Sequence, residues 1–168
     1  MIPQEVYEAS QCGTDISGHL ATLRIFARGN VFEIGVRTGV STSALLMGVK
    51  EHGGHVWSLD IEDCGHLYVD NPDWTFLQGH SVIDADRVLS VLPHSLDVLF
   101  IDSDHDYVVA HDELRLYGPI VKAGGTILMH DTDLAGAGVR KALEEYAQHI
   151  GKQPSYCLGS YGLGVLVP

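Results

Sequence analysis

Val31-Phe32-Glu33-Ile34-Gly35-Val36-Arg37-Thr38-Gly39-Val40-Ser41 is the stretch that decides the fold. Its apolar start, Val31 to Ile34, reads as a buried strand, Gly35 and Gly39 permit a tight turn, and helical periodicity resumes from Ser41. A strand that feeds a glycine turn and then a helix offers a ligand free backbone N–H groups and the positive end of a helix dipole. The glycines are spaced GxxxG with Glu33 ahead of the first, whereas the dinucleotide fingerprint needs GxGxxG. That spacing counts against a nicotinamide cofactor.

Working outward, short apolar runs alternate with helical stripes, the rhythm of a parallel sheet with crossover helices. Ile16, Leu20, Leu23 and Ala27 predict an opening helix capped by Thr14 or Asp15 and stopped by Gly29-Asn30. A helix from Ser41 to His52 ends at Gly53-Gly54, and strands follow over His55 to Asp60 and Trp74 to Leu77, separated by a loop or broken helix. A helix over Ile83 to Leu92 leads to a strand over Leu96 to Ile101, apolar except at Asp97, as a strand covered on both faces should be. The stripe Ala110, Leu114, Tyr117, Val121 predicts a helix that Pro119 breaks near Gly118. Thr126 to Met129 form a fifth strand, and Val139, Leu143, Tyr146 and Ile150 mark a last helix. Strands over Ser155 to Leu158 and Gly162 to Val167 close the chain around a hairpin-like turn.

Composition bounds the function classes. The chain has 168 residues, 45% of them hydrophobic and 19% charged, which fits one soluble domain over residues 1–168 with its own core. A formal net charge of −12 without a basic cluster argues against a nucleic-acid partner. No run of about 18 apolar residues indicates a membrane span. The N-terminus lacks the basic and apolar regions of a signal peptide, so the cytoplasm is the expected location. Cys12, Cys64 and Cys157 match neither a disulfide framework nor a zinc pattern and read as reduced thiols.

Ligands of open parallel sheets bind at the carboxyl ends of the strands, and there the chain concentrates its polar residues. The first strand ends in the Gly35 to Gly39 turn. The second ends in Asp60, a carboxylate able to accept from a ribose diol. Gly79-His80-Ser81 follow the third, Asp102-Ser103-Asp104-His105-Asp106 the fourth, and His130-Asp131-Thr132-Asp133 the fifth. Asp106 and Asp133 read more simply as helix caps. His52, His55, His94, His111 and His149 read as surface or packing residues.

FEIGVRTGVSTSALL at 32–46, SLDIED at 58–63, LDVLFIDSDHDY at 96–107 and VKAGGTILMHDT at 121–132 together resemble the class I S-adenosylmethionine-dependent methyltransferases. Within these they resemble the small O-methyltransferases related to enzymes of antibiotic-sugar and cephalosporin biosynthesis. The resemblance implies a Rossmann-like α/β fold, a seven-stranded, mostly parallel sheet with an antiparallel last strand and helices on both faces. It implies that Gly35 to Gly39 face the methionine moiety, with Glu33 holding the loop or the amino group and Ser41 or Thr42 bonding the carboxylate. Asp60 would take the ribose diol, Ile61 would pack on adenine, His80 and Ser81 would lie near its edge, and Asp102 near the amino group. Methyl transfer then needs alignment and deprotonation of the acceptor. Mg²⁺ or another divalent metal on Asp102, Asp104 and Asp131 could supply the latter, with His130 or His105 favouring a transition metal. Without a metal, His105 or His130 beside Asp131 would be the general base. The expected activity is O-methylation of a small molecule or sugar, by a possible homodimer. The rivals are an NAD(P)-binding Rossmann oxidoreductase and a non-catalytic S-adenosylmethionine-binding domain.

Overall fold

A computed structural model describes residues 1–11 and 16–168; the expected caps Thr14 and Asp15, and Cys12, lie outside the described residues. Helices α1 (Pro3–Ser10) and α2 (Ile16–Phe26) lead into β1 (Gly29–Ile34), α3 (Val40–His52), β2 (Gly54–Asp60) and β3 (Trp74–Gln78). Then come α4 (Ala85–Val91), β4 (Leu96–Ile101), α5 (Tyr107–Tyr117), a 3₁₀ turn (Gly118–Ile120), β5 (Val121–His130), α6 (Val139–His149), β6 (Ser155–Cys157) and β7 (Leu163–Leu166). The seven strands run in the order β3-β2-β1-β4-β5-β7-β6. The first five pair in parallel, and β7 enters antiparallel between β5 and β6, as the resemblance implied.

Strand parity builds two cores. Val31 on β1, with Val98 and Phe100 on β4, faces α1, α2 and α3. Phe32 and Ile34, with Leu99 and Ile101, face α4, α5 and α6. Glu33 shares the parity of Val31 and therefore points into the first, α3-side layer. From β1 the chain winds outward to β2 and β3, then returns to place β4 on the other side of β1. The switch point is thus the crevice between β1 and β4, where the loops after both strands diverge.

Four expectations are corrected. The chain has a helix, α1, that no sequence signal had marked; Pro3 stands in its first turn and Tyr7 is its buried residue. Gly29 does not stop a helix but opens β1, at φ 61, and Phe26 is the last residue of α2. Val121 belongs to β5, not to the preceding helical stripe, because Pro119 converts the helix end into the 3₁₀ turn. Asp133 caps nothing: α6 begins at Val139 and Asp133 pairs with Arg140. Asp106 does cap α5, accepting from the Val108 N–H at 2.8 Å.

Candidate functional site

The turn after β1 is pressed against the end of β4. A Cβ on Gly35, at φ 97, would lie 2.0 Å from the carbonyl oxygen of Asp102, so only glycine fits. Asp60, at the tip of β2, ties the same turn down: its Oδ2 accepts from the N–H groups of Val36 (2.7 Å) and Arg37 (2.9 Å), and its Oδ1 from Glu62 (2.9 Å). From behind, Tyr68 donates its hydroxyl to the Gly39 carbonyl at 2.7 Å. The loop is therefore held from both sides of the sheet end.

Glu33 lies beneath it, fully buried. Its carboxylate accepts from Ser41, Thr42 and Ser58, each at 2.7 Å, and Trp74 donates its indole N–H to Ser58 at 2.9 Å. Burial pushes the Glu33 carboxyl up to about 7, only partly offset by these hydroxyls. Of this group only Ser41 reaches a cavity. Of its two expected roles, Glu33 adopts that of fastening the first turn of α3 to the sheet.

Two cavities open at the switch point. The larger, about 650 Å³, runs from Gly35 past Asp60 and Ile61 to Gly79, His80 and Ser81, with Glu113 of α5 in its wall. Ile61 stands two-thirds exposed there. The Nδ1 of His80 accepts from the Val82 N–H at 3.1 Å, which leaves Nε2 as its donor. Glu113 is buried, accepts from Ser103 at 2.7 Å, and is raised by that burial to about 7. The smaller cavity, about 380 Å³, lies on the other side of the Gly35 turn, lined by His19 and Leu20 of α2, His130, Asp131, Ser160 and Tyr161 among others. Arg37, Thr38, Asp102, Ser103 and His105 line both cavities, so the two meet there.

At this junction the expected catalytic residues come together. His130 Nδ1 lies 3.1 Å from Asp102 Oδ1 and 3.0 Å from Asp131 Oδ2, and His105 Nε2 lies 2.6 Å from the same Asp131 oxygen. Burial alone would lower the His130 pKa, but its bonds to Asp102 and Asp131 prevail and raise it to about 10. Against the burial that would raise it, Asp131 is held below the usual carboxylate range by His130 and then His105. His130 is therefore an imidazolium bridging two carboxylates.

Among the described residues, Asp102, His105 and Asp131 each offer one atom within 4.8 Å of the others, a spacing that could hold a metal ion. Asp104, expected in that set, instead accepts from the Asp106 N–H at 3.0 Å and lines the larger cavity. Two carboxylates with one imidazole fit a transition-series divalent ion better than Mg²⁺, which prefers an all-oxygen shell.

Several lining residues, among them His19 and Tyr161, had no role of their own in the sequence reading. His19 continues the α2 stripe of Ile16, Leu20 and Leu23, a periodicity that places it on the buried face. It is 9% exposed, its ring lies 4.3 Å from that of His130, and its Nδ1 and the Nε2 of His130 are buried without partners. Burial first, then the His130 charge, lowers its pKa to about 3, so it is neutral. Arg37 and Tyr161 carried no residue-level signal: each depends on a left-handed backbone in a loop.

Known proteins share this architecture. A structure of the MycE methyltransferase from the mycinamycin biosynthetic pathway, in complex with Mg, SAH and mycinamycin VI, superposes with a TM-score of 0.72 at 18% identity. The alignment covers 99% of this chain and 54% of MycE, so the chain spans about half the length of that relative. The O-methyltransferase from Bacillus cereus in complex with SAH superposes at 0.68 and 14% identity, over 99% of this chain and 90% of that one. CalS11, a calicheamicin methyltransferase, does so at 0.70 and 12%, over 90% and 79%. A 44-residue segment is 41% identical to Uncharacterized protein R132 of Acanthamoeba polyphaga mimivirus, covering 26% of this chain and 20% of that protein. A family described as Methyltransferase domain matches residues 32–132, from the strand that carries Glu33 through Asp131. That match takes in more than half of the chain, the glycine turn and the junction of the two cavities, and the protein belongs to the methyltransferase domain family.

Proposed function

We propose that the chain binds S-adenosylmethionine in the larger cavity and transfers its methyl group to an oxygen of a small molecule held in the smaller one. The observation that carries this reading is the meeting of the two cavities over Asp102, Ser103 and His105. A methyl donor and an acceptor must face each other across one such aperture. When bound, the donor supplies a methyl group on a sulfonium sulfur; the acceptor oxygen takes it, the C–S bond breaks to leave a neutral thioether, and the hydroxyl proton departs.

The chain's residues hold and align. Asp60 Oδ1 keeps a lone pair for a ribose hydroxyl after accepting from Glu62. Ile61 offers an apolar face to the adenine, and His80 Nε2–H and Ser81 reach its edge. Asp102 faces the ammonium and sulfonium charges. His105, its Nε2–H donated to Asp131, is left with Nδ1 as an acceptor and takes the hydroxyl proton. The His130 imidazolium keeps Asp102 and Asp131 ionised and in place.

The grouping of Asp102, His105 and Asp131 favours a second reading of the proton step. These three would hold a divalent ion, whose charge would lower the pKa of an acceptor hydroxyl; His105 would then be a ligand rather than the base. Turnover that survives chelation by EDTA assigns the proton to His105. Turnover lost on chelation and restored by Mn²⁺ assigns the second reading.

Calorimetry with S-adenosylhomocysteine and NAD tests the cofactor. The expected result is saturable binding of S-adenosylhomocysteine alone. Binding of NAD alone, or of neither, overturns the proposal.

A further inference from the structure

Among the described residues, four that are not glycine adopt a left-handed backbone: Arg37 (φ 48), Asp131 (φ 58), Ser160 (φ 47) and Tyr161 (φ 63). All four line the smaller cavity. Strained backbone persists where surrounding structure enforces it, and it gathers at ligand sites. Here it serves side-chain placement. Gly159, Ser160, Tyr161 and Gly162 are consecutive left-handed residues, locked by Asp133 N–H donating to the Tyr161 carbonyl at 2.7 Å and Gly162 N–H to that of Gly159 at 2.8 Å. Tyr161 is thereby presented at the cavity, 64% exposed.

The charges of the cavity are unevenly satisfied. Asp102, His130, Asp131 and His105 pair with one another in a continuous chain. Arg37 is the single Lys or Arg lining either cavity, and among the described residues its guanidinium has no ion-pair partner, in a chain of net charge −12. An unpaired guanidinium at the rim of a site is the group that recognises a carboxylate. In the same cavity Leu20, Val40 and Leu134 supply apolar lining, and nine-tenths-buried His19 lines it with an unpartnered Nδ1. At about 380 Å³ the cavity accommodates one substituted ring, near the low end for small-molecule sites.

Resting on the transferase reading above, we propose that the acceptor is a monocyclic hydroxy acid, with its ring against Tyr161, its carboxylate on Arg37 and its reacting hydroxyl at His105. A phenolic acid and a sugar acid share this chemistry, and two probe pairs distinguish them.

Affinities are measured by calorimetry for 3,4-dihydroxybenzoate against 3,4-dihydroxybenzamide and for glucuronate against glucose, each with the S-adenosylhomocysteine-saturated protein. One acid should bind about ten-fold more tightly than its uncharged partner, as a charge-assisted pair implies. In Arg37→Gln the preference should fall within about two-fold, and Arg37→Lys should keep part of it. Tyr161→Ala should weaken both members of the preferred pair alike. Equal binding of acid and neutral probe, binding of none of the four, or a preference that survives Arg37→Gln overturns the proposal. So does a loss of S-adenosylhomocysteine affinity in Arg37→Gln without loss of acid preference, which would assign Arg37 to the donor. Failure of the wild-type protein to bind S-adenosylhomocysteine sinks the transferase reading instead, and the acid preference is then read on the unliganded protein.

Discussion

Glu33 shows how one residue can be placed by sequence and yet need structure for its role. Its parity with Val31 puts it in the α3 layer, but the three hydroxyls that satisfy it come from Ser41 and Thr42 on α3 and Ser58 on β2, and that pairing of elements is tertiary. The consequence is a pH dependence. A carboxyl raised to about 7 in the folded chain, from an ordinary value of 4.5, binds a proton more readily folded than unfolded. Its contribution to stability is full below about pH 4.5 and is lost as pH rises through 7, a change of up to about 3 kcal/mol. Neutral His19 acts in the opposite direction below pH 6.5, so the measurement must be a difference. Glu33→Gln compared with wild type by urea unfolding at pH 5 and pH 8 should show the wild type relatively more stable at pH 5 by about 2 to 3 kcal/mol. An unchanged difference would mean that Glu33 is ionised in the fold. His130 and Asp131 were legible as the end of β5 and the residue after it, and His105 as part of the polar loop that follows β4; His19 was hidden by being a lone polar residue in an apolar stripe.

At the scale of elements, strands that end in turn residues were readable and irregular connections were not. Strand β4 has its expected limits, since an apolar run between Pro93 and Asp102 leaves little choice. The start of β5 was misjudged because Gly124 and Gly125 look like punctuation; the strand instead runs past them through an irregularity, with Gly124 at φ 76 and a register shift against β4 between Leu96 and Val98. The β1–α3 turn is the element on which the site depends, and it separates two kinds of glycine. At Gly35 a methyl group meets both a left-handed φ and the backbone of Asp102; at Gly53, φ 80, it meets open space. Gly53→Ala should therefore cost only the conformational strain, about 2 kcal/mol. Gly35→Ala should cost at least about 3 kcal/mol and abolish S-adenosylhomocysteine binding in whatever fraction folds. Tyr68→Phe, which removes the hydrogen bond to Gly39, should cost about 1 kcal/mol. Thermal unfolding of the three variants checks the order; equal losses at Gly35 and Gly53 would show that the turn does not rest on β4.

For the molecule as a whole, a parallel sheet with crossover helices follows from the alternation of strands and helices, whereas the strand order β3-β2-β1-β4-β5 and the way α2 and the 159–162 turn complete the smaller cavity do not. Among the described residues, no helix is long and apolar enough to cross a membrane, and the net charge is −12 at pH 7, with ten histidines and a pI near 5.0. Lowering the pH from 7 toward 5 therefore does two opposing things. It protonates Glu33 and Glu113, both raised to about 7 by burial, which favours the folded chain. It also brings the chain toward its pI near 5.0 and so removes the net negative charge that keeps molecules apart. Conformational stability and colloidal stability should consequently diverge. Between pH 7 and 5 light scattering should rise toward a maximum near pH 5 while urea midpoints of Glu33→Gln fall relative to wild type. Added salt should reduce electrostatic repulsion at pH 7 but leave the Glu33 difference nearly unchanged, because a fully buried carboxyl is shielded from mobile ions. If salt abolished that difference, the pH response would belong to the surface charge and not to the buried carboxylate beneath the loop.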